Sequence, residues 1–248
     1  MLFASLFLLT SLAIDDHTSR LAAGDDAFSA IDYPSAIDCY TAALDQYPDD
    51  PDLLWRLARV YVCKGEVLEW DQRIADCRQA ETYARRCIER DSTKAKGHCW
   101  LAAALGYVAL DANRKEQVRL SHELLREVDI ALALDPNDDV AYSIKGSFYR
   151  ALGNVGWLSR QLAAIFIGRV PGGGFEEAES ALKKAIDLAP DVMRHQYELG
   201  VLYLDMDRKE EARKVLQRAA TLPIRVAIDR PRLKKIQEIL TSVSQEKE

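Results

Sequence analysis

The sequence predicts an all-α chain built as a solenoid of stacked helix pairs. Three observations carry that expectation. Alanine, leucine, arginine, glutamate and aspartate dominate a chain of 248 residues with only 12 glycines and 8 prolines, a composition that suits helices better than strands. A motif of large, small and aromatic residues recurs at helical spacing. Four steps, Tyr47-Pro48, Asp135-Pro136, Ala189-Pro190 and Leu222-Pro223, close helical runs, because the residue before a proline is driven out of the α region.

Taken in order, residues 1–13 form an apolar run, MLFASLFLLTSLA, ending in Ser11-Leu12-Ala13. Small residues at both cleavage-defining positions make it read as a secretory leader, although no positive charge precedes it. It is too short to span a bilayer as a helix. Residues 14–248 are then the repeat domain, and the chain is expected in the periplasm or cell envelope. The alternative is a cytoplasmic chain in which the run packs on the array as an apolar helix.

The first pair has Gly24 in its first helix, then Tyr33, Ala36, Tyr40, Ala43 and Pro48 at second-helix spacing. Leu54-x-x-Leu57-Ala58-x-x-Tyr61 opens the next pair. This is the large-x2-large-small-x2-aromatic signature of a tetratricopeptide repeat, in which the small residue lets two helices approach. Trp100-Leu101-Ala102 with Ala131-Leu132-x-Leu134 marks a third pair. Tyr142-x-x-Lys145-Gly146-x-x-Tyr149 with Ala178, Leu182 and Ala185 gives the fourth. Leu199-Gly200-x-x-Tyr203 with Ala212, Leu216 and Ala219 gives the fifth. About five helix pairs in one register predict a right-handed tetratricopeptide-type superhelix.

The repeats are lengthened relative to the usual ~34 residues, the second and third by about ten and the fourth by about twenty. Residues 69–89 and 113–134 read as long second helices. In the fourth repeat the excess carries Val155, Leu158, Leu162, Ile165 and Phe166 on one helical face, with Gly168 as a C-cap and a loop over Pro171-Gly172-Gly173-Gly174. An extra helix is therefore expected inside that repeat. Residues 229–241, with Leu233, Ile236 and Leu240 on one face, predict a C-terminal capping helix, and residues 242–248 a frayed polar tail.

The lengthened repeats, the Asp135-Pro136 end, the Gly156-Trp157-Leu158 insertion and the Phe175-Glu176-Glu177-Ala178 helix start together resemble the regulator of microtubule dynamics family, most nearly its bacterial tetratricopeptide members. The resemblance covers residues 53–240. It implies a helical repeat that acts by binding partners, its animal members being associated with microtubules and organelle membranes.

Catalytic chemistry finds no constellation in the residues themselves. The glycines at 172–174 precede Phe175-Glu176-Glu177, whereas a phosphate loop needs lysine and serine or threonine there. His17, His98, His122 and His195 are scattered, and adjacent His98 and Cys99 point apart on a helix. Cys39, Cys63, Cys77, Cys87 and Cys99 show no metal-ligand spacing and read as small core residues. A net charge of −6 argues against a nucleic-acid partner. The chain is thus expected to be no enzyme, to bind no cofactor or metal, and to act as a protein-interaction scaffold. The first helices of such pairs line the concave groove. The register places Trp55, Arg59, Lys96, Trp100, Ser143, Ser147, Arg150, Arg194 and Tyr197 toward a partner segment, and arginine and aromatic side chains are the types that anchor interfaces. A peripheral membrane or lipid association through residues 1–13 and 155–167 is the alternative. A microtubule-associated role rests on the resemblance alone.

Overall fold

A computed structural model describes residues 17–156 and 171–245. The expected leader and nearly all of the expected inserted helix, including Trp157, Phe166, Ile167 and Gly168, lie outside the described residues. Among those described, the chain is all helical: α1 (residues 17–29), α2 (Tyr33–Gln46), α3 (Pro51–Gly65), α4 (Trp70–Arg90), α5 (Ala95–Asp111), α6 (Arg114–Leu134), α7 (Asp139–Gly153), α8 (Phe175–Leu188), α9 (Met193–Asp205), α10 (Lys209–Ala219) and α11 (Asp229–Gln245). Five antiparallel pairs, α1–α2 through α9–α10, stack in chain order and α11 closes the end, which is an α-solenoid of tetratricopeptide type.

The boundaries follow local chemistry. Asp32, Asp50, Asn113 and Asp138 cap α2, α3, α6 and α7, each accepting a backbone N–H left free by the first turn. At α8 the Glu177 carboxylate accepts the N–H of Gly174 at 2.8 Å. First helices begin at Pro51, Ala95, Asp139 and Met193, so successive repeats span 44, 44 and 54 residues. The excess in the second and third repeats lies in α4 and α6, which have 21 residues each against 14 in α2. The last helix runs to Gln245 rather than fraying after Thr241, because Val243 is buried and holds the final turn.

Each pair is set by a close approach. A Cβ on Gly24 would sit 2.3 Å from the Tyr40 ring, and one on Gly146 or Gly200 would sit 2.5 or 2.6 Å from Leu182 or Leu216. The large second-helix residue therefore rests directly on first-helix backbone. First helices also touch the next first helix, α3 to α5, α5 to α7 and α7 to α9, and make up the inner layer. The core runs along the array as three clusters, one from α2 to α7, one between α8, α9 and α10, and one under α11. Leu53, Leu54, Leu57, Leu101, Leu105, Leu182, Leu202 and Leu216 are fully buried. Each such side chain contributes about 1.5–3 kcal/mol. Four of the five cysteines belong to that core, and all five are free. Burial pushes the Cys77 and Cys87 thiols up to about 12, which leaves them unreactive at neutral pH.

One titratable pair ties α5 to α6 inside this core. His98 Nδ1 lies 2.6 Å from Glu127 and Nε2 lies 3.0 Å from the Ser92 carbonyl. Both neighbours only accept, so both ring nitrogens donate and the ring is charged. Burial works against that charge, but the Glu127 and Ser92 bonds raise the His98 pKa above 6.5. Burial likewise opposes the Glu127 carboxylate, while His98 and Arg126 hold it below the usual range.

Two outcomes follow. Gly24→Ala gains about 1 kcal/mol of helix propensity. It also drives a methyl into the fully buried Tyr40 ring, an overpacking cost of about 1–3 kcal/mol. A net loss of up to about 2 kcal/mol should appear in urea midpoints. For His98, the folded pKa lies above the unfolded one, so its contribution is complete below pH 6.5 and declines as pH climbs through the folded value. The Tm of the wild type should fall as pH rises above 6.5, and His98→Gln should flatten that slope.

Candidate partner-binding face

All nine residues expected to face a partner lie on first helices: Trp55 and Arg59 on α3, Lys96 and Trp100 on α5, Ser143, Ser147 and Arg150 on α7, Arg194 and Tyr197 on α9. They differ in accessibility. Trp55 is half-buried, with its Nε1 donating to Asp52 at 2.9 Å and the Arg56 guanidinium 4.4 Å over its ring. Lys96 keeps 36% of its side-chain surface. Trp100 is 8% exposed and belongs to the core, and Ser143 is completely buried. Ser147 and Tyr197 are half-buried, Tyr197 lying beneath Arg232 of the capping helix.

The cations of this face are paired, and the pairs run from one first helix or its cap to the next. Arg59 donates to Asp25 of α1 at 2.8 Å and to the Tyr40 hydroxyl at 3.1 Å, with its guanidinium 3.8 Å over Phe28. Lys94 meets Asp52 at 3.1 Å, and Lys96 meets Asp138, the cap of α7, at 3.0 Å. Arg150 reaches Asp205 at 3.0 Å and Glu198 at 3.5 Å, and His195 meets Asp139 at 2.8 Å. Burial alone would raise the Asp25 carboxyl, yet the Tyr40 hydroxyl and the Arg56 and Arg59 guanidiniums hold it below the usual range. Burial also opposes the charge on Lys96, and Asp138 more than restores it. Partly exposed pairs of this kind contribute about 0–1 kcal/mol each. Their main effect is to fix the register of successive first helices.

The array also curls onto itself. Glu66, just past the end of α3 and only 5% exposed, accepts from the Tyr107 hydroxyl at 2.7 Å and from Arg194 at 3.4 Å. Residues 223–228, between α10 and α11, cross to the N-terminal repeats, where the Ala227 N–H donates to the Tyr33 hydroxyl at 2.9 Å. Val226 and Ala227 pack against the core cluster that runs from α2 to α7. Beside this segment, a cleft of about 700 Å³ opens between the α3–α4 turn and the start of α11, lined by Val67, Leu68, Trp70, Ala227, Ile228 and Pro231 with charged neighbours.

Sequence reasoning did not find Glu66, Tyr107, Tyr33 or the crossing segment as parts of this face. Glu66 follows Gly65 in what reads as a solvated turn, and its partner Arg194 lies 128 residues away. No local pattern encodes that meeting. Buried polar atoms without a hydrogen-bond partner among the described residues include Arg59 Nε, Ser143 Oγ, Ser147 Oγ, Arg150 Nε and Arg194 Nε, all on first helices.

With the geometry in place, comparison with known proteins places the chain. The family model described as regulator of microtubule dynamics protein 1-3 matches residues 21–244. The chain belongs to that family. Among relatives, regulator of microtubule dynamics protein 2 of Homo sapiens is 26% identical over 204 residues, 80% of this chain and 49% of the human protein. Regulator of microtubule dynamics protein 1 of Caenorhabditis elegans is 26% identical over 172 residues, 69% of this chain and 76% of the nematode protein. The chain thus spans about half the length of the first of these relatives. Solved structures share the fold of this regulator of microtubule dynamics chain. A thermophilic tetratricopeptide protein of Thermus thermophilus superposes with a TM-score of 0.66 at 20% identity, covering 92% of this chain and 99% of that one. Yeast Tom70 gives 0.58 at 15% identity, covering 96% and 42%.

Proposed function

We propose that the chain is a non-catalytic interaction scaffold whose inner face, formed by α1, α3, α5, α7 and α9, takes a segment of a protein partner. The observation that carries this reading is the set of aromatic and cationic side chains kept partly accessible on successive first helices, led by Trp55, Lys96, Arg150 and Tyr197. Tryptophan and arginine anchor interfaces because they combine contact area with directional donors. Since the cations are already paired, a partner engages them by sharing or exchanging carboxylates rather than by supplying the first one. The leader-like residues 1–13 favour an envelope partner; intact-mass measurement of the protein from its native host, showing loss of that run, supports this location, and a full-length cytosolic chain removes it.

The test is partner recovery. Trp55→Ala combined with Lys96→Ala should lower recovery about thirtyfold, the ~2 kcal/mol of a tryptophan anchor. Lys184→Glu, on the outer helix α8, should leave recovery unchanged. Equal recovery by all three proteins would rule out the inner face.

A second reading is favoured by a separate feature. Val67, Trp70, Leu110 and Val155 are exposed apolar residues at first-to-second-helix turns, and Trp70 Nε1 lies 3.4 Å from Asp111 of the next repeat. They share one edge of the solenoid, from which the inserted segment also departs. Among the described residues no helix is long and apolar enough to cross a membrane. Peripheral attachment by this edge predicts flotation with phospholipid vesicles, with the floated fraction falling to roughly half or less in Trp70→Ala/Leu110→Ala, since interfacial aromatic and apolar side chains supply such binding. The names of the relatives suggest a microtubule-associated role, which co-sedimentation with polymerised tubulin decides.

A further inference from the structure

The segment joining α10 to α11 crosses to the N-terminal repeats as an irregular stretch that ends in a turn over Val226–Asp229, closed by the Asp229 N–H on the Val226 carbonyl at 3.0 Å. It has no regular structure over residues 223–225, and four kinds of contact position it. Its main chain donates to a side chain, Ala227 N–H to the Tyr33 hydroxyl at 2.9 Å, across 194 residues of sequence. Its small apolar side chains, Val226 and Ala227, lie half-buried against the N-terminal core. Its basic residue Arg225 pairs with Asp191 in the α8–α9 turn. Asp229, 2% exposed, folds the end back by accepting the N–H groups of Arg225 and Val226 at 2.9 and 3.2 Å, and it is held by Arg232. One long-range main-chain bond, two apolar side chains against a rim and an ion pair thus hold a turn whose own shape is fixed internally by Asp229.

We infer that residues 223–229 are an internal occupant of the partner site at the mouth of the inner face. The external ligand is then a protein segment that repeats their chemistry: a basic residue followed by small or medium apolar residues in a turn closed by an acid. This inference rests on the inner-face reading above and adds what the partner looks like. Two features make exchange feasible. The capping helix α11 is anchored independently, by Ile236 and Leu233 in a cluster with Met193, Leu216, Ala219 and Leu222, so the segment can leave without the cap. The neighbouring cleft of about 700 Å³ is already open, so the segment only partly fills the space between α11 and the α3–α4 turn. The Asp229 bonds are internal to the turn, so one neutral hydrogen bond, two half-buried small side chains and an exposed ion pair hold it to the other repeats, which leaves it released from them in about one molecule in a hundred to a thousand. An external segment therefore binds the wild type that much more weakly than it binds an opened chain.

The experiment uses the full chain and a fluorescein-labelled peptide, TLPIRVAIDR, copied from residues 221–230. Val226→Asp/Ala227→Asp expels the internal segment, and fluorescence anisotropy should show the peptide binding this variant at least roughly thirtyfold more tightly than the wild type. Adding Tyr33→Phe to the opened chain should weaken binding again by about fivefold, the worth of one hydrogen bond. Equal affinity for opened and wild-type chains, or no effect of Tyr33→Phe in the opened chain, overturns the inference. A wild-type readout guards against an opened variant that does not fold. Hydrogen exchange at the Ala227 amide should accelerate about fivefold in Tyr33→Phe while the amides of Leu216 and Ile236 keep their protection. An Ala227 amide that exchanges freely in the wild type overturns the inference as well. Partner recovery that depends on Trp55 and Lys96 but is identical for opened and wild-type chains would sink this inference and leave the inner-face function standing.

Discussion

The distance between the two helices of a pair governs everything built on it. Where Gly24 meets Tyr40, Gly146 meets Leu182 and Gly200 meets Leu216, there is no room for even a methyl group. That closeness lets the second helix bury its leucine or tyrosine on bare backbone, so each pair is set by contacts within its own repeat. Stacking then follows, because each pair still has an apolar side to cover and the next pair covers it. The inner face is a by-product of this order: first helices touch first helices, and whatever they do not bury points inward.

Polar contacts act on a different link of the chain. The fully buried leucines supply far more free energy than the ion pairs between first helices, at about 1.5–3 kcal/mol a side chain against about 0–1 kcal/mol a pair. Hydrophobic burial is tolerant of small slides, whereas a carboxylate about 3 Å from a guanidinium is not. Asp25 with Arg59, Asp138 with Lys96 and Asp205 with Arg150 therefore set how each repeat is offset from the last. The accumulated offset is what brings Arg194 back to Glu66 and residues 223–228 back to Tyr33.

Legibility in the sequence divides along the same line. The helix pairs were readable because a small residue, an aromatic a turn away and a proline-marked end all lie within one repeat. Phe175-Glu176-Glu177 was readable as a helix start because Glu177 has only to reach back to Gly174. Long α4 and α6 were readable because nothing in residues 70–90 or 114–134 breaks a helix. The face itself was readable only as a list of first-helix positions. Whether such a position is open depends on its surroundings in the assembled fold: Trp55 stays half-accessible while Trp100, one repeat on, is 8% exposed within the core. Ser143 is sealed for the same reason. Glu66 and the crossing segment were not readable at all, since their partners are separated by 128 and 194 residues and depend on the summed curvature of five repeats.

A paired inner face changes what selectivity means here. An unpaired arginine would attract any carboxylate, and its specificity would be low. Arg59, Arg150 and Arg194 each already hold an acid, so a newcomer gains only the difference between its own geometry and the one it replaces. For the scaffold role proposed above, length and backbone course then matter more to recognition than net charge, since a −6 average alone would repel an acidic partner and attract any basic one.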